Sequence, residues 1–217
     1  MKKAVSFLLA VSLLAAFTGC GDGGGNGQNG FNNADDILGI KNHSYEADSD
    51  DSSNYSAEPG MIPRGWETFY GDGFSISADG SLWEKSTETV VASLNSPDLI
   101  LMRAGTGSFR TNINVISTKL PKGISGLDAY VRYSVDCANE AGTYTYKDQK
   151  KGRANETEGY YMYLEGEMYN ISLGCYQFIC VSDNKAYVFT FTDTLEEIDK
   201  YEDEFHEIMD TLEFYGS

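Results

Sequence analysis

Five tyrosines in one strand-rich stretch, Tyr144, Tyr146, Tyr161, Tyr163 and Tyr169, are the residues of this chain best suited to holding a ligand. Alternate residues of a strand share a face, so this spacing predicts a cross-strand aromatic platform. Such a surface takes a sugar or an extended peptide by stacking, and the hydroxyls add hydrogen bonds. Lys147, Lys150, Lys151 and Arg153 form a basic cluster beside Tyr144 and Tyr146, read as a loop and as a candidate docking spot. Glu165 and Glu167 stand two apart on one strand face, about 7 Å in strand geometry. That separation suits a glycosidase carboxylate pair, although an exposed strand face accounts for both residues equally well.

The remaining candidates for chemistry are weaker. His206, with Glu202 four residues before it and Asp210 four after, would line one helix face and could hold a divalent ion. Acidic surface helices produce the same alignment by chance. A nucleophilic triad needs a nucleophile beside the histidine, and no GxSxG elbow occurs. Asp48, Asp50, Ser52, Asn54 and Ser56 imitate a calcium loop, but Ser53 stands where the turn needs Gly and Pro59 where the bidentate Glu belongs. No catalytic residue, metal site or cofactor is therefore assigned.

The elements that must position these residues come from periodicity and turn chemistry. Trp66 to Tyr70, Phe74 to Ala78 and Leu82 to Lys85 read as short strands punctuated by Gly71-Asp72-Gly73 and Asp79-Gly80. Leu99 to Arg103 and Thr111 to Thr118 follow as two further strands joined through Gly105-Thr106-Gly107. A helix is expected from Gly126 to Ala141, capped by Ser125 and closed by Gly142. Its apolar face is Leu127, Tyr130, Val131, Ser134 and Ala138. Four strands come next: Thr143 to Lys147, Tyr160 to Tyr169, Ile171 to Ser182 and Lys185 to Thr192, the last two joined by Asp183-Asn184. Leu173, Ile179 and Val181 fall on one face of the third, Tyr176 and Phe178 on the other. A strand apolar on both faces belongs inside a sheet covered on both sides. Thr194 and Glu197 read as a capping box for a final helix with the stripe Leu195, Ile198, Tyr201, Phe205, Ile208, Met209 and Leu212. A short strand, Leu212 to Tyr215, ends the chain.

The first sixty residues address the protein. Lys2 and Lys3 precede an apolar run from Ala4 to Ala16, and Phe17-Thr18-Gly19-Cys20 closes it. That order predicts a lipoprotein signal over residues 1–19 and lipid modification of Cys20. The run is shorter than the roughly 20 residues a spanning helix needs. Residues 20–60, rich in Gly, Asn and Asp, read as a flexible acidic tether, and residues 61–217 as one domain. Beyond Cys20 the cysteines are Cys137, Cys175 and Cys180, an odd number that allows one bridge at most. Cys175 and Cys180 point to opposite faces of one strand, so the choice is a Cys137 bridge to one of them or three buried thiols. A formal charge of −17 disfavours nucleic acid as a partner.

Two segments together resemble a known family. Gly73-Phe74-Ser75-Ile76-Ser77 followed by Trp83 is similar to the opening of PsbP-like domains, and the lipobox-plus-tether arrangement to bacterial lipoproteins of the DcrB-like type. Ala186 to Thr192, the acidic helix and Leu212-Glu213-Phe214 resemble the closing strand, helix and strand. The resemblance implies an α+β fold, an α/β/α sandwich with a central, mostly antiparallel sheet flanked by helices. It implies no enzyme, since the photosynthetic members are assembly and cofactor-retention subunits. The expectation is thus a lipid-anchored extracytoplasmic protein with a non-catalytic binding or accessory role at the cell envelope. Its partners would be the membrane, through the N-terminal lipid, and an envelope protein or small extracellular ligand. The rival expectations are a solute- or metal-capture lipoprotein working with a transporter, and an envelope hydrolase using Glu165 and Glu167.

Overall fold

The computed structural model describes residues 62–87, 97–105, 109–142, 144–168 and 170–215. The leader, Cys20, the tether and the calcium-like run lie outside the described residues, as do Tyr169 and most of the Gly105-Thr106-Gly107 turn.

Among the described residues, ten strands and two helices build an α+β domain. They are β1 (Trp66–Tyr70), β2 (Phe74–Asp79), β3 (Trp83–Lys85), β4 (Leu99–Arg103), β5 (Asn112–Lys119), α1 (Leu127–Ala141), β6 (Tyr144–Ala154), β7 (Thr157–Met168), β8 (Ile171–Ser182), β9 (Lys185–Thr194), α2 (Glu202–Met209) and β10 (Glu213–Phe214), with a 3-10 turn at Ile198–Tyr201 before α2. Seven strands make the central sheet in the order β3-β4-β5-β9-β8-β7-β6, antiparallel throughout. A small antiparallel sheet, β1-β2-β10, packs over one of its faces together with α2. Helix α1 covers the other face.

Tight hairpins set the register. Asp183 and Asn184 both take left-handed backbone, φ 48° and 60°, which matches a two-residue turn to the twist of β8 and β9. Asn155, at φ 51°, opens the β6–β7 turn, and its side-chain amide donates to the Leu212 carbonyl at 3.1 Å. That bond ties the hairpin to the segment that follows α2.

Three expectations about elements need correction. Gly126, not Ser125, occupies the α1 N-cap, and no side chain caps it. The final helix does not run from Thr194: that residue ends β9, a 3-10 turn follows, and regular helix begins only at Glu202. The cause is close packing on the sheet. A Cβ on Gly174 of β8 would lie 2.4 Å from Ile198 Cγ2, so the turn rests directly on that glycine. Finally, Lys147, Lys150, Lys151 and Arg153 are not in a loop. They belong to β6, an 11-residue edge strand paired with β7 along its length. Charged residues on an edge discourage pairing with another chain.

Candidate functional site

The register across β6 and β7 decides the fate of the tyrosine platform. Tyr144 lies opposite Gly166 and Tyr146 opposite Leu164, and residues directly opposite share a face. The even-numbered residues of β7 therefore accompany Tyr144 and Tyr146, while Tyr161 and Tyr163 point to the other side. Tyr144 is buried and Tyr146 half-buried in the cluster beneath α1, with Tyr130, Met162 and Leu164. Tyr161 packs on Phe178 with ring centroids 4.7 Å apart, and Tyr163 on Tyr176 at 5.2 Å. A single open platform is thus replaced by two pairs on opposite faces of the sheet. Burial pushes all four phenols up from their ordinary value.

The other predicted groups are also tied down. Glu165 forms an ion pair with Lys147 at 2.8 Å, while Glu167 is exposed. Lys151 pairs with Glu158 at 2.5 Å and stands 3.7 Å from Asp128 of α1. His206 is not on an open helix face: its ring lies against Tyr161, centroids 4.4 Å apart. Among the described residues no group of three His, Cys, Asp or Glu side chains could hold a metal ion. Cys137, Cys175 and Cys180 are all buried free thiols. Cys175 lies on the α1 side and Cys180 on the α2 side, as their odd spacing requires.

A cleft with a volume of about 430 Å³ opens where β4, β5 and β9 end. Its polar wall is built from both sides of the sheet end. Asp193, almost wholly buried, accepts a hydrogen bond from the Thr111 hydroxyl at 2.5 Å and another from the Thr194 amide at 2.6 Å. These bonds fix both carboxylate oxygens. Arg110 donates through Nη2 to Glu84 at 2.9 Å, and its Nε is buried with no hydrogen-bond partner among the described residues. Arg103 lies over the Tyr201 ring, 5.0 Å from its centre, and its Nε is 3.4 Å from Glu204. Trp83 donates to the same carboxylate at 2.8 Å. Glu196, Glu197 and Phe109 complete the mouth.

Two guanidinium groups, an oriented carboxylate and an aromatic face can recognise a ligand that carries hydrogen-bonding groups beside a flat or apolar part. Sequence reading missed this site because its parts are far apart in the chain; Thr111 and Asp193 are separated by 82 residues. The one local signal was a pair of arginines bracketing a glycine-rich turn.

No family model matches the sequence, and no curated relative matches it. Among solved structures the chain is similar to cyanobacterial PsbP (CyanoP) from Synechocystis sp. PCC 6803. The TM-score is 0.51 at 13% identity, covering 72% of this chain and 96% of that one. It is also similar to a protein of unknown function from Pseudomonas aeruginosa described as a putative regulator, with TM-score 0.49, 11% identity and coverage of 70% and 99%. LpqN of Mycobacterium tuberculosis, described as involved in cell envelope biogenesis, aligns with TM-score 0.46 and 11% identity over 66% of this chain and 83% of that one. At such identities the likeness is one of fold, and the fold is PsbP-like.

Proposed function

We propose that this protein is a lipid-anchored, extracytoplasmic binding module with an accessory, non-catalytic role at the cell envelope. In this reading Cys20 carries the lipid, residues 20–60 are the tether and the domain presents the Arg103–Asp193 cleft to its ligand or partner. The observation that carries the binding role is that the cleft holds Asp193 and Arg103 in fixed positions beside Arg110, whose buried Nε has no hydrogen-bond partner among the described residues. Asp193 is held by two hydrogen bonds and Arg103 is fixed between Glu204 and Tyr201. Groups locked in one geometry suit recognition, because little side-chain entropy is left to lose on binding. The envelope address rests on the leader and lipobox of the sequence.

The test uses the full chain in cells. Labelled palmitate should enter the protein, and Cys20→Ser should abolish the label and shift the chain from the membrane to the soluble fraction. Unchanged fractionation would remove the anchor from the proposal. A photocrosslinking side chain at Glu196, on the cleft mouth, should give a discrete adduct that Arg103→Glu removes. The same probe at Glu140, on the exposed side of α1, should give none. Identical adducts from both positions, or an adduct indifferent to Arg103→Glu, would refute the cleft as the binding surface.

A further inference from the structure

The charged groups around the Arg103–Asp193 cleft divide into those already paired and those with capacity left. Arg110 gives Nη2 to Glu84 at 2.9 Å, and Lys200 gives its ammonium to Glu197 at 2.5 Å. Arg103 is different. Its Nε lies 3.4 Å from Glu204 and its guanidinium 5.0 Å over the Tyr201 ring, so the group is held along one edge and one face. Its two terminal nitrogens make no hydrogen bond among the described residues, and the side chain is 22% exposed. A fixed guanidinium with parallel N–H groups to spare suits a carboxylate, which it can bind through two bonds at once.

Asp193 supplies the opposite charge. One of its oxygens takes the Thr111 hydroxyl and the other the Thr194 amide, both neutral donors. An ionised carboxylate has about four lone-pair sites, so Asp193 keeps acceptor capacity, and it has no ion pair among the described residues. Glu196, exposed at the mouth, adds a second carboxylate without an ion pair among them.

These two ends belong to one small space. Arg103 continues the alternation of Leu99 and Leu101, and Asp193 that of Phe189 and Phe191, so both face the α2 side. They stand on either side of Thr111: the Arg103 amide donates to its carbonyl at 2.9 Å, and its hydroxyl donates to Asp193 at 2.5 Å. Their strands, β4 and β9, flank β5, which puts the two backbones about 10 Å apart. One small molecule, hydrogen-bonded to each side chain at about 2.8 Å, fits such a gap. The cleft volume of about 430 Å³ lies within the range of small-molecule sites, about 300–1,000 Å³.

We propose that the cleft holds a free α-amino acid, an inference that rests on the cleft being the binding surface of the domain. Its carboxylate sits on the terminal nitrogens of Arg103, its ammonium on Asp193, and an apolar side chain against Phe109 and Ala104. A simple cation would leave the Arg103 edge unused, and a simple anion would face Asp193 and Glu196 with no positive group of its own. A zwitterion uses both ends.

Isothermal titration calorimetry of the purified full-length protein tests this with three probes. They are L-phenylalanine, phenethylamine, which lacks the carboxylate, and 3-phenylpropionate, which lacks the ammonium. L-phenylalanine should bind saturably, and either analogue about tenfold or more weakly, because each loses a charge-assisted contact. This series uses the unaltered chain and needs no variant to fold. Arg103→Lys keeps the charge but removes the fork; it should weaken L-phenylalanine about tenfold and leave phenethylamine unchanged. An analogue that binds as tightly as L-phenylalanine, or L-phenylalanine binding indifferent to Arg103→Lys, would overturn the amino-acid site. So would no heat with L-phenylalanine. In that case a Glu196 adduct still removed by Arg103→Glu would keep the cleft as a surface for another partner, whereas loss of the adduct too would remove both readings.

Discussion

On the α2 side of the central sheet, the three inner strands contribute Ile113 and Val115, Phe189 and Phe191, and Phe178 and Cys180. On the α1 side the same strands contribute Asn112 and Asn114, Thr190 and Thr192, and Cys175 and Gln177. Both sets are buried, and they alternate residue by residue along the same backbone. On the α2 side the rings meet edge to face: Phe74 with Phe189 at 5.2 Å, Trp83 with Phe191 at 5.6 Å, and Phe191 with Phe205 at 6.0 Å. Such contacts add to the area they bury. On the α1 side, apolar residues surround a polar strip in which Asn112 Oδ1 and Gln177 Oε1 have no hydrogen-bond partner among the described residues. One face is therefore built to hold the domain together, and the other gives up stability to keep polar atoms in place. Natural domains accept that loss mainly where function requires it.

The contrast predicts mutational effects of opposite sign. Phe189→Ala should remove the ring that joins Phe74 to Phe178 and lower stability by about 3–5 kcal/mol. In urea unfolding the midpoint should fall with an unchanged slope. A loss below about 1 kcal/mol would deny the α2 side its structural role. Gly174→Ala, beneath the 3-10 turn, should cost about 1–3 kcal/mol by forcing Ile198 off the sheet. In thermal melts, a Gly174→Ala, Ile198→Ala double variant that loses less than the sum of the two single losses would locate the effect in that contact.

Across the sheet the sign reverses. Tyr146→Phe deletes a buried hydroxyl without a partner and should raise stability by about 1 kcal/mol. A destabilised Tyr146→Phe would mean that this hydroxyl is satisfied and that the two faces are alike.

The smallest effect is on alkaline stability. Burial pushes the Cys175 thiol up to about 12 and holds the Tyr144 and Tyr146 phenols above their ordinary value. A raised acid keeps its proton longer in the folded chain than in the unfolded one. The unfolded state therefore sheds protons first, and stability, complete below the ordinary thiol and phenol values of 9.0 and 10.0, falls as pH rises beyond them. Replacing Tyr144 and Tyr146 together by Phe should move the alkaline unfolding midpoint to higher pH, as followed by circular dichroism.

Much of the scaffold was legible from the chain. β1, β4 and β8 have the bounds that alternation implied, and the Asp183-Asn184 turn is the tight hairpin its residues demand. The failures have specific causes. β6 was cut short because Lys147 to Arg153 look like a solvated loop, whereas pairing with β7 holds them extended. The last helix was started too early because its apolar spacing is equally satisfied by a 3-10 turn seated on Gly174. The Arg103–Asp193 cleft was invisible because no spacing rule connects residues brought together only when β5 pairs with β9.

Sequence alone determined the alternation, the turns and therefore which residues of each strand travel together, because side-chain direction in a strand has a period of two. It also separated Cys175 from Cys180. What covers each set was left to the tertiary structure. The β6–β7 register divided the tyrosines between two faces, and the docking of α1 enclosed Tyr144 and Tyr146 that alternation would equally have allowed in solvent. Local periodicity sorts residues onto faces, but only long-range packing chooses which face is dry, which is polar and which is open.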